Sequence, residues 1–396
     1  MKTLLATSVI GDARLLAGLD RGRLDRQAHL WTHGAQPQLT RAAYAELCEA
    51  VGLKGRGGAA FPVARKLAGL PERGIEAVVV NGSESEPVSR KDRLLLTLAP
   101  HLVLDGATGL AHALGAPHVL IAVHDAEAAQ SVREAILERD DRLAIEVTET
   151  PGRFVAGEAR AVLSALEGGP AVPPGRKVLP TQQGYHRRPT FLSNVETFAQ
   201  LAVLARLGAR SYSSTGLSSE PGTQLLTVAG AVRRPGVIET PTGVPLETVL
   251  QYTGADAGPV LLGGYHGRWL AQTGVTLQGV GIVVALGTET CPLGEVHRVA
   301  QWLASQSAGQ CGPCVFGLAG LVDDFDRLIR GEAEGWYDAQ RHLGLVPGRG
   351  ACAHPDGAAR FLASALEAFD DDVRRHLAGA GGCGRPVLGV LEVTHG

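Results

Sequence analysis

Apolar positions along the chain change period several times, and each change marks an element. Residues 76–80 and 118–123 are short runs rich in β-branched side chains, the pattern of a strand buried on both faces. Helical spacing takes over in 100–114 and again in 126–139, where Asp125 stands as the N-cap. Residues 144–147 predict a further strand, and a helix follows the segment 151–158 and runs to Leu166. This alternation predicts an α/β unit with a largely parallel, doubly wound sheet. A mostly helical lead-in over residues 1–50 precedes it. The glycine- and proline-rich stretch 168–184 has too little periodicity for an element and predicts a lid or a wall of a site. Ser193-Asn-Val-Glu-Thr197 then opens an apolar helix to Leu207.

Beyond residue 212 the pattern changes. Residues 213–221 (S-S-T-G-L-S-S-E-P) predict a linker. Strands are predicted at 223–232, 236–240, 260–263 and 281–285, with one short helix at 246–252. From Glu295 onward the spacing is helical, over 295–305, 317–329 and 358–377. The apolar run 386–394 predicts a strand or a docking tail. Three units follow, at 1–212, 222–290 and 295–396.

Composition narrows the class. A chain of 396 residues with 45% hydrophobic and 19% charged positions is a multidomain globular protein, and a net charge of −3 gives no footprint for nucleic acid. No run of about 18 apolar residues is present to span a membrane. The apolar start of the chain is cut short by Gly11-Asp12, without a cleavage site, which predicts a mature cytoplasmic protein.

Two stretches carry the candidate chemistry. The first is 55–62, G-R-G-G-A-A-F-P. Gly55, Gly57 and Gly58 let a ligand approach the main chain, the loop feeds a helix N-terminus, and Lys66 one turn in adds a cation, so the loop predicts an anion site. The polar turn N-G-S-E-S-E-P at 81–87 lies at the carboxyl end of a strand, where open α/β sheets place ligands. The second stretch is Cys311-Gly-Pro-Cys314, with Cys352 further on. Three thiolates fit zinc or an iron–sulfur cluster, and a Cys3His zinc site with His354 competes directly. Of the other cysteines, Cys48 is expected in the core and Cys383 as a stray thiol. His186, His266 and His297 show no ligand spacing and are expected as surface or packing histidines, and Asp370–Asp372 is expected on a solvated helix face.

These motifs, together with K-D-R at 91–93, F-V-A-G-E at 154–158 and S-N-V-E-T at 193–197, resemble the FMN- and NADH-binding flavoprotein subunit of respiratory complex I and its relatives in NAD-linked dehydrogenases and hydrogenases. The resemblance implies a Rossmann-like FMN domain, a ubiquitin-like β-grasp domain of the soluble-ligand-binding (SLBB) type, and a helical bundle holding a [4Fe–4S] cluster. It implies FMN contacts from Gly55, Arg56, Gly57, Gly58, Lys66, Asn81, Glu84, Gly157, Glu158, Ser193 and Asn194. Glu84 and Glu86 are implied as carboxylates over the ring, and Cys311, Cys314 and Cys352 as cluster ligands.

Departures from the family pattern are Ser83, Phe154 and Ser193 on the flavin side. On the nicotinamide side Glu86 and Phe61 match, whereas Ala159, Gly69, Leu179 and Arg176 do not, which puts NAD(P)H binding in question. Ala308 stands where the family has its first cluster cysteine. The centre is then [3Fe–4S], or [4Fe–4S] with His354, Cys291 or an exogenous group as fourth ligand. The function so implied is electron transfer between FMN and the cluster to a partner redox subunit, ferredoxin-like or membrane-associated. The competing reading is a non-catalytic adaptor that keeps the shape and a structural zinc site.

Overall fold

The computed structural model describes residues 6–175, 178–279, 281–379 and 382–393. A short strand β1 (Thr7–Val9) comes first, then helices α1 (Arg26–His33), α2 (Arg41–Ala50) and α3 (Val63–Ala68). The α/β unit continues with β2 (Ala77–Gly82), α4 (Lys91–Leu98), α5 (Pro100–Leu114), β3 (His118–Val123), α6 (Ala126–Leu137), β4 (Ala144–Glu149), α7 (Ala159–Leu166), β5 (Thr190–Asn194) and α8 (Val195–Tyr212). The four strands lie in the order β4-β3-β2-β5, and all pair in parallel. The alternation of side chains along a strand sorts their apolar residues onto two faces. Val78, Val80, Val119 and Ile121 pack on one side with Leu94, Val103 and Phe198. Ala77, Val79, Leu120 and Leu192 pack on the other with Val162 and Leu163 of α7. Burial on both faces is why these strands read as continuous apolar runs. Asp125 caps α6 as expected, its carboxylate accepting from the Ala128 N–H. Helices α5 and α8 approach closely at Gly106, where a Cβ would overlap the Phe198 carbonyl.

The next strands are β6 (Gly216–Leu217), β7 (Glu220–Pro221), β8 (Thr223–Gly230) and β9 (Gly236–Pro241), followed by α9 (Leu246–Thr253), β10 (Val260–Leu262), β11 (Arg268–Leu270) and β12 (Ile282–Ala285). A mixed sheet runs β1-β9-β8-β12-β10-β11, with β8 antiparallel to β9 and parallel to β12. Two expectations change here. The N-terminal region is not helical throughout, because β1 pairs in parallel with β9 (Thr7↔Val237). Residues 213–221 are not a bare linker but carry the β6–β7 hairpin.

The last part contains α10 (Pro292–Ser305), a π-helical turn (Pro313–Leu318), α11 (Ala319–Ile329), α12 (Ala333–Leu345), α13 (His354–Ala368) and α14 (Asp370–Leu377). Leu293, Leu321, Phe325, Phe361 and Leu362 form its core. The helix expected over 358–377 is two helices, broken at Phe369, whose ring packs 4.9 Å from that of Trp269. Residues 386–393 form no strand. The Glu295 carboxylate accepts the N–H groups of Gly389 (2.6 Å) and Val390 (3.1 Å), and Leu391 is buried. Among the described residues no single helix is long and apolar enough to cross a membrane.

Candidate functional site

All three parts of the chain contribute to one cleft of about 690 Å3, a size usual for small-molecule and cofactor sites. The loop at Gly55–Gly58, the turn after β2, Gly157 and the end of β5 supply most of its walls. Gly263, His266, Gly279 and Gly281 enter from the second sheet, and Cys352 and His354 from the helical part. A second hollow of about 610 Å3, between α12 and α13, lies around Trp336 and Leu366 and holds none of the candidate residues.

Glycine is required at specific points of this wall. Gly58 has φ +89°, and the space where a Cβ would stand is open. A Cβ on Gly57 would come within 3.3 Å of Asn194 Cβ, and one on Gly157 within 2.8 Å of the Ser83 carbonyl oxygen. Asn81 Nδ2 donates to the Gly157 carbonyl (2.9 Å), which ties the two walls together. Asn194 donates to the Asp92 carboxylate (3.1 Å) and accepts from the Thr197 hydroxyl, so its amide braces the loop. Ser193 lines the cleft beside it.

The cations differ in how they are compensated. Lys91 is buried between Asp92 and Glu196, at 2.9 Å from each. Arg56 is buried and paired with Glu220 of β7, while its Nε and Nη2 have no hydrogen-bond partner. Arg56 therefore fastens the loop to the hairpin. Lys66 has no ion-pair partner among the described residues. Its Nζ donates to the Leu192 carbonyl (2.7 Å), and burial pushes its pKa down to about 8. An unneutralised cation at a glycine-walled cleft fits an anion such as a phosphate.

The carboxylates separate as well. Glu84 accepts from the N–H groups of Asp92 (3.0 Å) and Arg93 (2.8 Å) and from the Ser89 hydroxyl, which makes it the cap of α4. Glu158 likewise caps α7, accepting from Arg160 N–H (2.8 Å), and its carboxylate pairs with the Arg160 guanidinium. Glu86 is different. Its Oε2 accepts from Tyr265 N–H (2.9 Å), but its Oε1 is sealed from solvent without a partner. Burial, reinforced by Glu84, outweighs the backbone donors and Arg90 and pushes its pKa up to about 7. The motif presents Glu84 and Glu86 alike; in the structure the first is a helix cap and the second, beside the cleft, keeps one buried oxygen without a partner.

Cys311, Cys314 and Cys352 come together, as their spacing suggested. The Cys314 thiol hydrogen-bonds with that of Cys311 and feels Cys352, and burial pushes its pKa up to about 12. Neither protein candidate for a fourth ligand is placed to serve. The His354 ring is occupied at both nitrogens, with His266 at 3.1 Å and the Leu303 carbonyl at 2.9 Å. Cys291 lies instead with His376 and Cys383, so Cys383 is no stray thiol. His266 is a packing histidine that also lines the cleft, its ring edge-on to Phe154 (4.6 Å).

The second sheet's share of the cleft was not anticipated, although Gly263, Gly279 and Gly281, all at positive φ, were its available signal. At the cleft mouth Phe61 is exposed, as is Leu179 away from it. Arg176 lies outside the described residues.

Comparison with known proteins gives a consistent result. The Nuo51 FMN-binding domain family matches residues 48–203, and the NADH-ubiquinone oxidoreductase-F iron-sulfur binding region matches residues 294–376. The F subunit of NADH-quinone oxidoreductase from Mycobacterium tuberculosis (strain ATCC 25618 / H37Rv) is 31% identical over 374 residues, covering 84% of each chain. Its counterpart from Escherichia coli (strain K12) is 29% identical over 382 residues, covering 86% of each. Among solved structures, an NAD+-reducing [NiFe]-hydrogenase in the H2-reduced state superimposes with a TM-score of 0.84 at 25% identity, over 96% of this chain and 69% of that one.

Proposed function

Since the chain belongs to the family of NADH-quinone oxidoreductase F subunits, we propose that it is a flavin and iron–sulfur electron-transfer subunit working across the cleft described above. One observation carries this reading: the glycine loop and the thiol Cys352 line the same cleft. FMN, when bound, exchanges two electrons with a donor and single electrons with an iron–sulfur centre. The residues fit that group. Lys66 offers its uncompensated charge to the phosphate, and Gly57, Gly58 and Gly157 leave room for close approach. Glu86 holds or releases a proton at Oε1 near neutral pH. Cys311, Cys314 and Cys352 hold the iron through three thiolates, as [3Fe–4S] or as [4Fe–4S] with a non-protein fourth ligand.

The strand order β9-β8-β12-β10-β11 with one helix supports reading residues 222–290 as a β-grasp unit of the soluble-ligand-binding type, to which β1 adds an edge. The units 1–212 and 295–396 are then its flavin and cluster neighbours. A partner redox subunit is supported by Val315 and Phe316, large apolar side chains that stand exposed directly after Cys314. The relatives' names make NADH the first donor to test, with Phe61 and Glu86 at the cleft to meet it. Anaerobically purified protein should carry flavin absorption, bound iron and a cluster signal in electron paramagnetic resonance, and NADH should bleach the flavin in stopped flow. A colourless, iron-free protein would reject the reading in favour of an adaptor, and flavin bleached by neither NADH nor NADPH would reject the dinucleotide donor alone.

A further inference from the structure

We infer that Cys291, His376 and Cys383 form a second metal site, separate from the three cluster thiols, which binds one Zn2+ and pins the C-terminal segment to the helical part. One ligand atom from each residue lies within 4.8 Å of the other two. The three come from separate pieces of chain. Cys291 is the N-cap of α10, His376 sits in the last turn of α14, and Cys383 lies beyond that helix.

The histidine geometry points to a ligand role. Its Nδ1–H donates to the Ile329 carbonyl (2.8 Å), which fixes the tautomer and leaves Nε2 with a bare lone pair. Metal-binding histidines are oriented in this way, with the distal N–H given to a carbonyl or carboxylate. That lone pair faces Cys291 Sγ at 3.5 Å. Zinc–sulfur and zinc–nitrogen bonds of about 2.3 and 2.0 Å at a tetrahedral angle separate sulfur and nitrogen by about 3.5 Å.

Both sulfurs accept hydrogen bonds from nearby N–H groups. Cys291 Sγ accepts from Gly294 N–H (3.4 Å), and Cys383 Sγ is met by both the backbone N–H and the guanidinium of Arg385. Gly382 and Gly384 have φ of +63° and +72°, a tight bend that brings Cys383 back onto His376. A Cβ on Gly382 would lie 2.6 Å from His376 Cε1. Two thiolates and an imidazole are a donor set for zinc, with the fourth position open to water. Binding requires both thiols to release their protons to solvent, and no electrons move. The bond between the Cys291 N–H and the Pro386 carbonyl (2.7 Å) continues the same clamp along the tail.

The test is metal analysis of the full chain purified anaerobically without added zinc. One zinc per chain is expected in addition to iron. His376→Gln and Cys383→Ser should each lower zinc affinity about tenfold or more with iron unchanged, and Cys352→Ser should lower iron with zinc unchanged. Exchange with Co2+ should give thiolate-to-cobalt charge-transfer bands and tetrahedral visible bands, both lost in Cys383→Ser. The iron result keeps this inference separate from the flavin and cluster reading, since either can fail alone. If the variants do not fold, chelation of the wild-type protein should release one zinc per chain and lower the melting temperature, with recovery on adding zinc. Zinc at background, zinc unchanged in both variants, no chelatable zinc in the wild type, or a Cys291–Cys383 disulfide in non-reducing peptide maps would each overturn the site.

Discussion

Glu86→Gln tests a carboxyl at the cleft whose pKa stands near neutrality. The wild-type pKa stands at about 7 against an ordinary 4.5, and at 1.36 kcal/mol per unit that corresponds to at most about 3 kcal/mol favouring the neutral acid. Burial causes the rise, with Oε1 sealed and unpartnered, while the N–H groups of Tyr265 and Val88 oppose it. A carboxyl whose folded pKa is raised stabilises the fold fully below 4.5 and loses that contribution as the pH climbs through 7. The melting temperature of the wild type should therefore fall more steeply than that of the variant between those values. Infrared difference spectra of wild type against Glu86→Gln should show a protonated carboxyl band that is strong at pH 6, half lost near 7 and weak at pH 8. A band already absent at pH 6, with parallel melting curves for the two proteins, would refute the argument.

Three further outcomes follow from the same geometry. Lys66→Met should weaken FMN about tenfold or more, the scale of one charge-assisted hydrogen bond, yet leave riboflavin affinity unchanged; equal losses for both ligands would remove the phosphate from Lys66. Arg56→Met leaves Glu220 buried with only Lys54 at 2.9 Å. Chemical denaturation should show a loss of about 3 kcal/mol, the lower end for a broken buried pair, and Arg56→Met/Glu220→Leu should recover most of it. Ala308→Cys should supply a fourth thiolate and change the cluster's paramagnetic resonance signal and iron content; identical spectra and iron would show that residue 308 does not face the cluster.

Legibility in the sequence depended on how local each determinant was. The limits of α5 and β3 could be read to the residue because their apolar runs are local and Pro100 and Gly115 mark the two ends of α5. Strand β5 was missed because its five residues, T-F-L-S-N, run straight into the start of α8. Strand β1 was missed because its partner, β9, lies more than two hundred residues away. The cleft shows the same division. Glycine spacing and the Cys-x-x-Cys motif were visible, but that the Glu84 carboxylate would cap α4 and the Arg56 guanidinium would meet Glu220 depended on how the chain returned. Cys291, His376 and Cys383 have no recognisable spacing at all, and only the packing of α10 against α14 brings them together.

The cleft draws its walls from Gly55 near one end of the polypeptide, Gly281 in the middle and Cys352 towards the other. During synthesis, residues 55–58 leave the ribosome long before their opposite wall exists. A nascent chain thus has no enclosed chamber for a flavin, and loading belongs to the period after translation has passed the last thiol. A product truncated before the last thiol should therefore lose its flavin, so retention serves as a direct gauge of whether the whole chain has closed on itself.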